Sequence, residues 1–542
     1  MTSSLPEGPP PGLVPDRGAR AWLLLVLAAF TGLALGHAWR APMFEGPDED
    51  SNLEYVRYVD LEGHLARPST TPTPELEVLE RGILPPLWFY VTLPLYRAVG
   101  ADEAAATPIL SPHFLRDSAF QAAIAAEGLD LDAALERPGS RARYLHGLDE
   151  AGATAEGAAA IHALRLLRAS AIPWALVALV ASFLALRRAL SSERRALWFT
   201  AALALTPQLQ FLSANINMDA MLAAWGCIAF WAMGEWIAAP DAEPRRRLLF
   251  ALLAGAAAGL AAMTKLNGLV LLPLLGLATL LATPGRLDLR APLASLLGLA
   301  LTAGPFYLWG WLESGHPLWM WAYQHASPLH NIAGQEPAVW DLAGIWSYHL
   351  VLFLTWFGDL GWTSVWFEPW ISYPILVLFV VGGLVGLARS LRWGSEASPA
   401  QRASLLLAAG CVTILAAELW FNLRFSQPQG RHLYPFLVAV VFPIYLGLER
   451  LRLLPLFTAA CALLSLAAFP LLVDQLRTDL PDGTAWNGSA WLAITDAGRG
   501  PVPDLTEADA LVAWTSLTPG PDGAPYLAWQ TRPDHSYELL LA

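Results

Sequence analysis

The stretch Phe44-Glu-Gly-Pro-Asp-Glu-Asp-Ser-Asn-Leu-Glu-Tyr-Val-Arg-Tyr-Val59 follows directly on an apolar run from Ala21 to about Ala38. Three consecutive carboxylates, Asp48, Glu49 and Asp50, therefore stand where a hydrophobic span ends. Gly46 and Pro47 make a turn. Beyond it Leu53, Val56 and Val59 recur at helical spacing, with Asp50, Glu54, Arg57 and His64 on the more polar side. The chain thus reads as a membrane helix giving way to an amphipathic one. Acids in a first helical turn satisfy unpaired N–H groups and complement the dipole, which accounts for one or two of the three. A carboxylate at a membrane surface, near cations supplied by other loops, also suits a general base.

The composition sets the class. Of 542 residues, 55% are hydrophobic and 15% charged, and 24 are Trp; the mean hydropathy is +0.43. This is the composition of an all-α polytopic membrane protein. A net charge of −13 argues against nucleic acid as a partner. Cys227, Cys411 and Cys461 all lie in apolar runs, so they indicate neither a disulfide framework nor a thiolate metal site. Arg17 and Arg20 precede the first run, which is long for a secretory signal and lacks a convincing cleavage site. It reads as a retained helix, with residues 1–20 in the cytoplasm.

Charge then orients the rest. If Ile83–Val99 crossed the bilayer, the helix from Ala163 to Leu186 would deliver Arg187, Arg188, Arg194 and Arg195 outside, against the positive-inside rule. That segment is therefore placed on or partway into the outer leaflet, within an outer loop region 40–162. Spans near 196–213, 219–238, 248–263, 267–283, 292–311, 372–390, 403–420, 433–449 and 454–473 keep the remaining Arg clusters cytoplasmic, giving about eleven helices in all. Leu248–Ala282 as one helix would reach roughly 50 Å at 1.5 Å per residue, against a hydrocarbon core of roughly 30 Å. It must break, and Lys265 and Asn267 mark the place. A second outer region, 313–371, is rich in Trp, Tyr and His. The outward tail 474–542 is acidic, with strand-like runs at Leu511–Leu517, Tyr526–Gln530 and Tyr537–Leu541, a small β-rich appendage. Asn487-Gly-Ser matches a glycosylation acceptor by pattern only.

This topology gathers the unusual polar residues on one face. Asn215, Asn217 and Asp219 interrupt one interhelical turn, Lys265 another; Arg165 and Arg168 head the helix after the long loop, and Arg424, Arg431 and His432 precede the span at 433. Each has an ordinary explanation: arginines snorkel to headgroups, and Asn217 or Asp219 caps the helix starting at Met218. Jointly they suit a substrate that is anionic and lipidic, such as a polyprenyl phosphate or pyrophosphate carrying a sugar.

The runs GPDEDSNLEYVRY, LPPLWFY, SANINMD, MTKLNG and QPQGRHLYP, in that order, resemble a family of bacterial membrane proteins similar to the GT-C glycosyltransferases, over about residues 21–473. The resemblance implies a GT-C-like transmembrane domain in the cytoplasmic (inner) membrane. It also implies an inverting transferase that takes sugar from a polyprenyl phosphate at the outer face, for a glycan, lipid or protein acceptor. By it, Asp48 is the essential acid, with Glu49 beside it. By it, too, Lys265 and Arg431 bind the lipid phosphate. His432, Arg165, Arg168, Asn217 and Asp219 are further candidates from their place on the same face, not from the resemblance. Where relatives often carry His after the acidic pair, this chain has Asn52. A divalent metal (Mg or Mn) at Asp48 and Glu49 is compatible with the chemistry, though nothing in the sequence requires one. A ligase or polymerase of pyrophosphate-linked glycans and a flippase of lipid-linked sugars are the competing readings.

Overall fold

The computed structural model describes residues 17–65, 84–101, 155–239, 242–282, 288–316, 318, 320, 342–361, 365–391, 397–423 and 429–476, and short strands between 484 and 540. The stretch 102–154, Arg424 and Asn487 lie outside the described residues.

In chain order the helices are α1 (Arg17–Arg40), α2 (Glu49–Glu62), α3 (Leu87–Ala98), α4 (Ala155–Ala169), α5 (Ile172–Leu190), α6 (Glu193–Ala204), α7 (Pro207–Leu212), α8 (Asp219–Ala238), α9 (Pro244–Thr264), α10 (Leu272–Ala282), α11 (Arg290–Thr302), α12 (Gly304–Ser314), α13 (Leu342–Phe357), α14 (Pro369–Ser390), α15 (Pro399–Asn422), α16 (Leu437–Arg450) and α17 (Leu454–Leu476). Two 3₁₀ segments, Leu266–Leu271 and Gly430–Phe436, lead into α10 and α16. The tail carries two three-stranded antiparallel sheets, β3-β4-β5 (Thr484–Trp486, Trp491–Thr495, Gly498–Pro501) and β6-β7-β8 (Val512–Pro519, Pro525–Thr531, Glu538–Leu540). A two-residue hairpin, β1 with β2, pairs Asp359–Leu360 with Val365–Trp366.

Among the described residues eight helices are long and apolar enough to cross a membrane, nine if the pair α11 and α12, bent by 61°, is one span. Nine of the eleven expected spans coincide with these helices. The difference from about eleven arises at two breaks. Pro207 divides the 196–213 run into α6 and the six-residue α7, since proline removes a donor and clashes with the preceding turn. Lys265, in extended conformation, ends α9 and leaves the 266–282 run as a short apolar helix. The twelve-residue α3, within Ile83–Val99, is about 18 Å long, too short to cross. It packs Phe89 edge-on against Tyr55 of α2 at 4.5 Å between centroids.

Polar side chains collect in two layers at opposite ends of these helices. One holds Arg195 on Glu449 and the Arg188–Glu235–Arg246 cluster. The other holds Glu49, Arg168, Asp219, Lys265 and Arg431. Along α8 the sixteen steps from Asp219 to Glu235 separate the layers by about 24 Å, close to the thickness of a hydrocarbon core. The chain is a multi-pass membrane protein.

Small residues let the backbones close up, as membrane bundles require. A Cβ on Gly226 of α8 would lie 1.8 Å from the carbonyl oxygen of Pro435, so this glycine seats the 430–436 segment, and with it Arg431, against α8. Gly226→Val should lower stability by about 1–3 kcal/mol, the usual cost of overpacking, and thermal unfolding of the purified protein would show it. An unchanged melting temperature would mean that the contact is dispensable.

Candidate functional site

Gly46 starts the site. Its carbonyl accepts the Glu49 N–H at 3.2 Å, closing the expected turn, and a Cβ there would lie 2.5 Å from Asn215 Cγ. The turn delivers Asp48 as the residue before α2 in the left-handed region, at φ 59° and ψ 17°, a conformation that Asp tolerates better than most residues. Leu53, Tyr55, Val56 and Val59 are buried, which fixes the rotation of α2 about its axis.

Successive helical residues point about 100° apart, so the carboxylates of Asp48 and Glu49 go to different partners. Glu49 Oε1 and Oε2 each lie 2.6 Å from Arg168 nitrogens, with the two side chains 1% and 0% exposed. Arg168 also donates to the carbonyls of Ala41 and Pro42, both at 2.7 Å, and Glu49 accepts the Ile216 N–H at 3.1 Å. This pair binds the end of α1, the start of α2, α4 and the 215–218 turn to one another. Glu49, expected beside Asp48 as catalytic, and Arg168, expected to bind phosphate, are thus placed against each other in a buried pair rather than beside Asp48.

Asp48 makes no side-chain cap. Its Oδ2 lies 2.7 Å from Arg431 Nη1, and the two side chains are 21% and 11% exposed. The same Nη1 is 4.0 Å from Asp219 Oδ2, and Lys265 Nζ is 3.0 Å from Asp219 Oδ1. The four form a row of alternating charge, Asp48–Arg431–Asp219–Lys265, from segments spread over the whole bundle. Asp219 is fully buried at the start of α8, where the positive end of the helix dipole favours an acid. Expected among the phosphate-binding residues, it is placed between the two cations, Lys265 and Arg431. Asn217 serves the helix start: its Oδ1 accepts the Asp219 N–H at 3.0 Å and its Nδ2 donates to the Leu212 carbonyl. Arg165 is half-buried one turn before Arg168 on α4. Asn52 donates to the Ile216 carbonyl at 3.0 Å and belongs to the scaffold.

Lys265 reaches the site because the helix breaks there, and Arg431 because its segment is 3₁₀ and its Nε is held by Gln429 Oε1 at 2.6 Å. His432 turns the other way, its Nδ1 3.1 Å from Glu418 Oε1. Glu418 was missed in the sequence, although a lone acid within an apolar span is a recognised signal.

A divalent cation shared by Asp48 and Glu49 does not fit, because Glu49 faces Arg168 while Asp48 faces Arg431. Among the described residues no three His, Cys, Asp or Glu side chains form a metal-holding group. What the row presents is a partly exposed carboxylate beside two cations that Asp219 bridges.

Residues 149–315 match the family described as dolichyl-phosphate-mannose-protein mannosyltransferase, a segment that contains Arg165, Arg168, Asn217, Asp219 and Lys265. Two solved structures of ArnT from Cupriavidus metallidurans are similar to the chain. The apo form is 16% identical, with a TM-score of 0.44, over 80% of this chain and 60% of its own. The form bound to undecaprenyl phosphate is 15% identical, with a TM-score of 0.48, over 84% of this chain and 77% of its own. No curated protein matches.

Proposed function

We propose that this protein is a GT-C-type glycosyltransferase that moves a sugar from a polyprenyl phosphate to an acceptor hydroxyl, with inversion, at the outer face of the membrane. The carrying observation is the row Asp48–Arg431–Asp219–Lys265, which sets a partly exposed acid beside two cations at one end of a membrane bundle. The match of residues 149–315 to a family named for a lipid-phosphate sugar donor supports the same reading. The opposite polar layer holds Arg187, Arg188, Arg195, Arg246 and Arg247. By the positive-inside rule that layer is cytoplasmic, so the site faces outward.

In the reaction the acceptor oxygen attacks the anomeric carbon as Asp48 takes its proton. The bond from that carbon to the phosphate oxygen breaks on the opposite face, and its electron pair leaves with the phosphate toward Arg431 and Lys265. Asp219 keeps both cations in place while charge builds.

The test is transfer from a polyprenyl-phosphate sugar in membranes carrying the full-length chain. Lys265→Ala should reduce the rate about 10²–10³-fold, the usual loss for one well-aimed electrostatic donor. Normal transfer by a well-expressed Lys265→Ala protein removes the assigned role. Movement of lipid-linked sugar across liposomes with the sugar–phosphate bond intact would establish a transporter instead.

A further inference from the structure

The segment that carries Arg431 begins without a cap of its own. Gln429, the residue before the 3₁₀ turn Gly430–Phe436, makes no side-chain cap, and its Oε1 accepts from Arg431 Nε at 2.6 Å instead. The first N–H groups of a helix need acceptors from elsewhere. For Gly430 the acceptor comes from α13, 75 residues earlier: the Gly430 N–H donates to Thr355 Oγ1 at 2.6 Å, with both residues buried. Thr355 donates in turn to the Val351 carbonyl at 2.7 Å. The hydroxyl thus gives its proton to its own helix and keeps a lone pair for Gly430. A Cβ on Gly430 would collide with the backbone of Trp356, so the turn is seated directly on α13. That helix is itself anchored: Phe353, Trp356 and Phe357 surround Phe379 of α14 at 5.1, 5.1 and 6.0 Å between ring centroids.

We infer that Thr355 is a positioning residue which, by accepting the Gly430 N–H, fixes the start of the 430–436 turn and so aims Arg431 at the lipid phosphate. This rests on the function proposed above. Gly430 directly precedes Arg431, whose Nη1 stands 2.7 Å from Asp48 and 4.0 Å from Asp219. Without an acceptor the buried N–H would draw the turn toward another one, and a displacement of about 1 Å is enough to spoil the aim of a charged group. Thr355 acts only through Arg431, and α13 becomes the platform on which that cation is mounted.

The experiment is titration of full-length protein in detergent with undecaprenyl phosphate, alongside thermal unfolding, for Thr355→Val and Thr355→Ser. Val keeps the shape of the side chain and loses the acceptor, so binding should weaken about 2- to 10-fold, the range of one neutral hydrogen bond. Thr355→Ser keeps the hydroxyl and should recover most of that loss. The effect of Thr355→Val should disappear in an Arg431→Ala background and persist in a Lys265→Ala background, because Lys265 stands on another segment. Wild-type affinity in Thr355→Val overturns the inference, as do equal losses in Thr355→Val and Thr355→Ser or an undiminished effect beside Arg431→Ala. Should Thr355→Val fail to fold, Thr355→Cys, whose sulfur is a weaker acceptor, takes its place under the same criteria. Loss in Arg431→Ala with none in Thr355→Val sinks only the role of Thr355. Wild-type affinity in both Arg431→Ala and Lys265→Ala, or no binding by the wild type, sinks the phosphate site itself.

Discussion

Asp48→Asn should lower sugar transfer about 10²–10⁴-fold, the usual worth of a positioned base, and at the same time tighten the binding of undecaprenyl phosphate. The two effects have one cause. Arg431 Nη1 sits 2.7 Å from Asp48 Oδ2, so a phosphate approaching Arg431 competes with a carboxylate already in place. Asn removes the competing charge. A partly exposed ion pair is worth about 0.2–1 kcal/mol, so the gain in affinity should be modest, roughly 1.5- to 5-fold. On the proposed mechanism the same competition would free the base: a phosphate that drew Arg431 away would release Asp48 for the acceptor hydroxyl. Turnover and affinity measured on one preparation check both halves. Weaker binding in Asp48→Asn would mean that the carboxylate helps to hold the phosphate, as through a bridging cation. Unimpaired turnover would end its assignment as the base.

The bundle was legible from the sequence because apolar run length is a direct consequence of bilayer thickness. Nine of the eleven runs read as spans are helices long enough to cross, counting the bent pair α11 and α12 as one, and the break at Lys265 falls where a charge in the run demanded one. Breaks without a charge, such as Pro207 between α6 and α7, were not seen. Within the site the residue types were readable and their directions were not. Asp48 and Glu49 are neighbours in one acidic run, yet the start of a helix turns them toward Arg431 and Arg168 respectively. Arg168 reads on paper like any interfacial arginine, because nothing local reveals that Glu49, 119 residues away, meets it. Glu418 escaped for a similar reason: its partner lies beyond a loop, on a different segment.

The division between the two acids leads to the other large effect. Glu49→Ala should destabilise the fold by about 3–5 kcal/mol, the usual result of leaving one member of a buried ion pair unpaired. Against a typical total of 5–15 kcal/mol, that is enough to empty much of the folded population. Arg168 would keep its carbonyl partners at Ala41 and Pro42, but its charge would lie uncompensated in a place with no solvent. The Ile216 N–H would also lose its acceptor, so the turn carrying Asn217 and Asp219 would loosen with it. Replacing both Glu49 and Arg168 by apolar residues often restores stability where a buried pair stands alone. Here it should restore only part, because the orphaned backbone groups of Ala41, Pro42 and Ile216 remain. Thermal unfolding and the yield of monodisperse protein measure this without reference to catalysis. A Glu49→Ala protein that folds and melts like the wild type yet fails to transfer sugar would return Glu49 to the reacting centre beside Asp48.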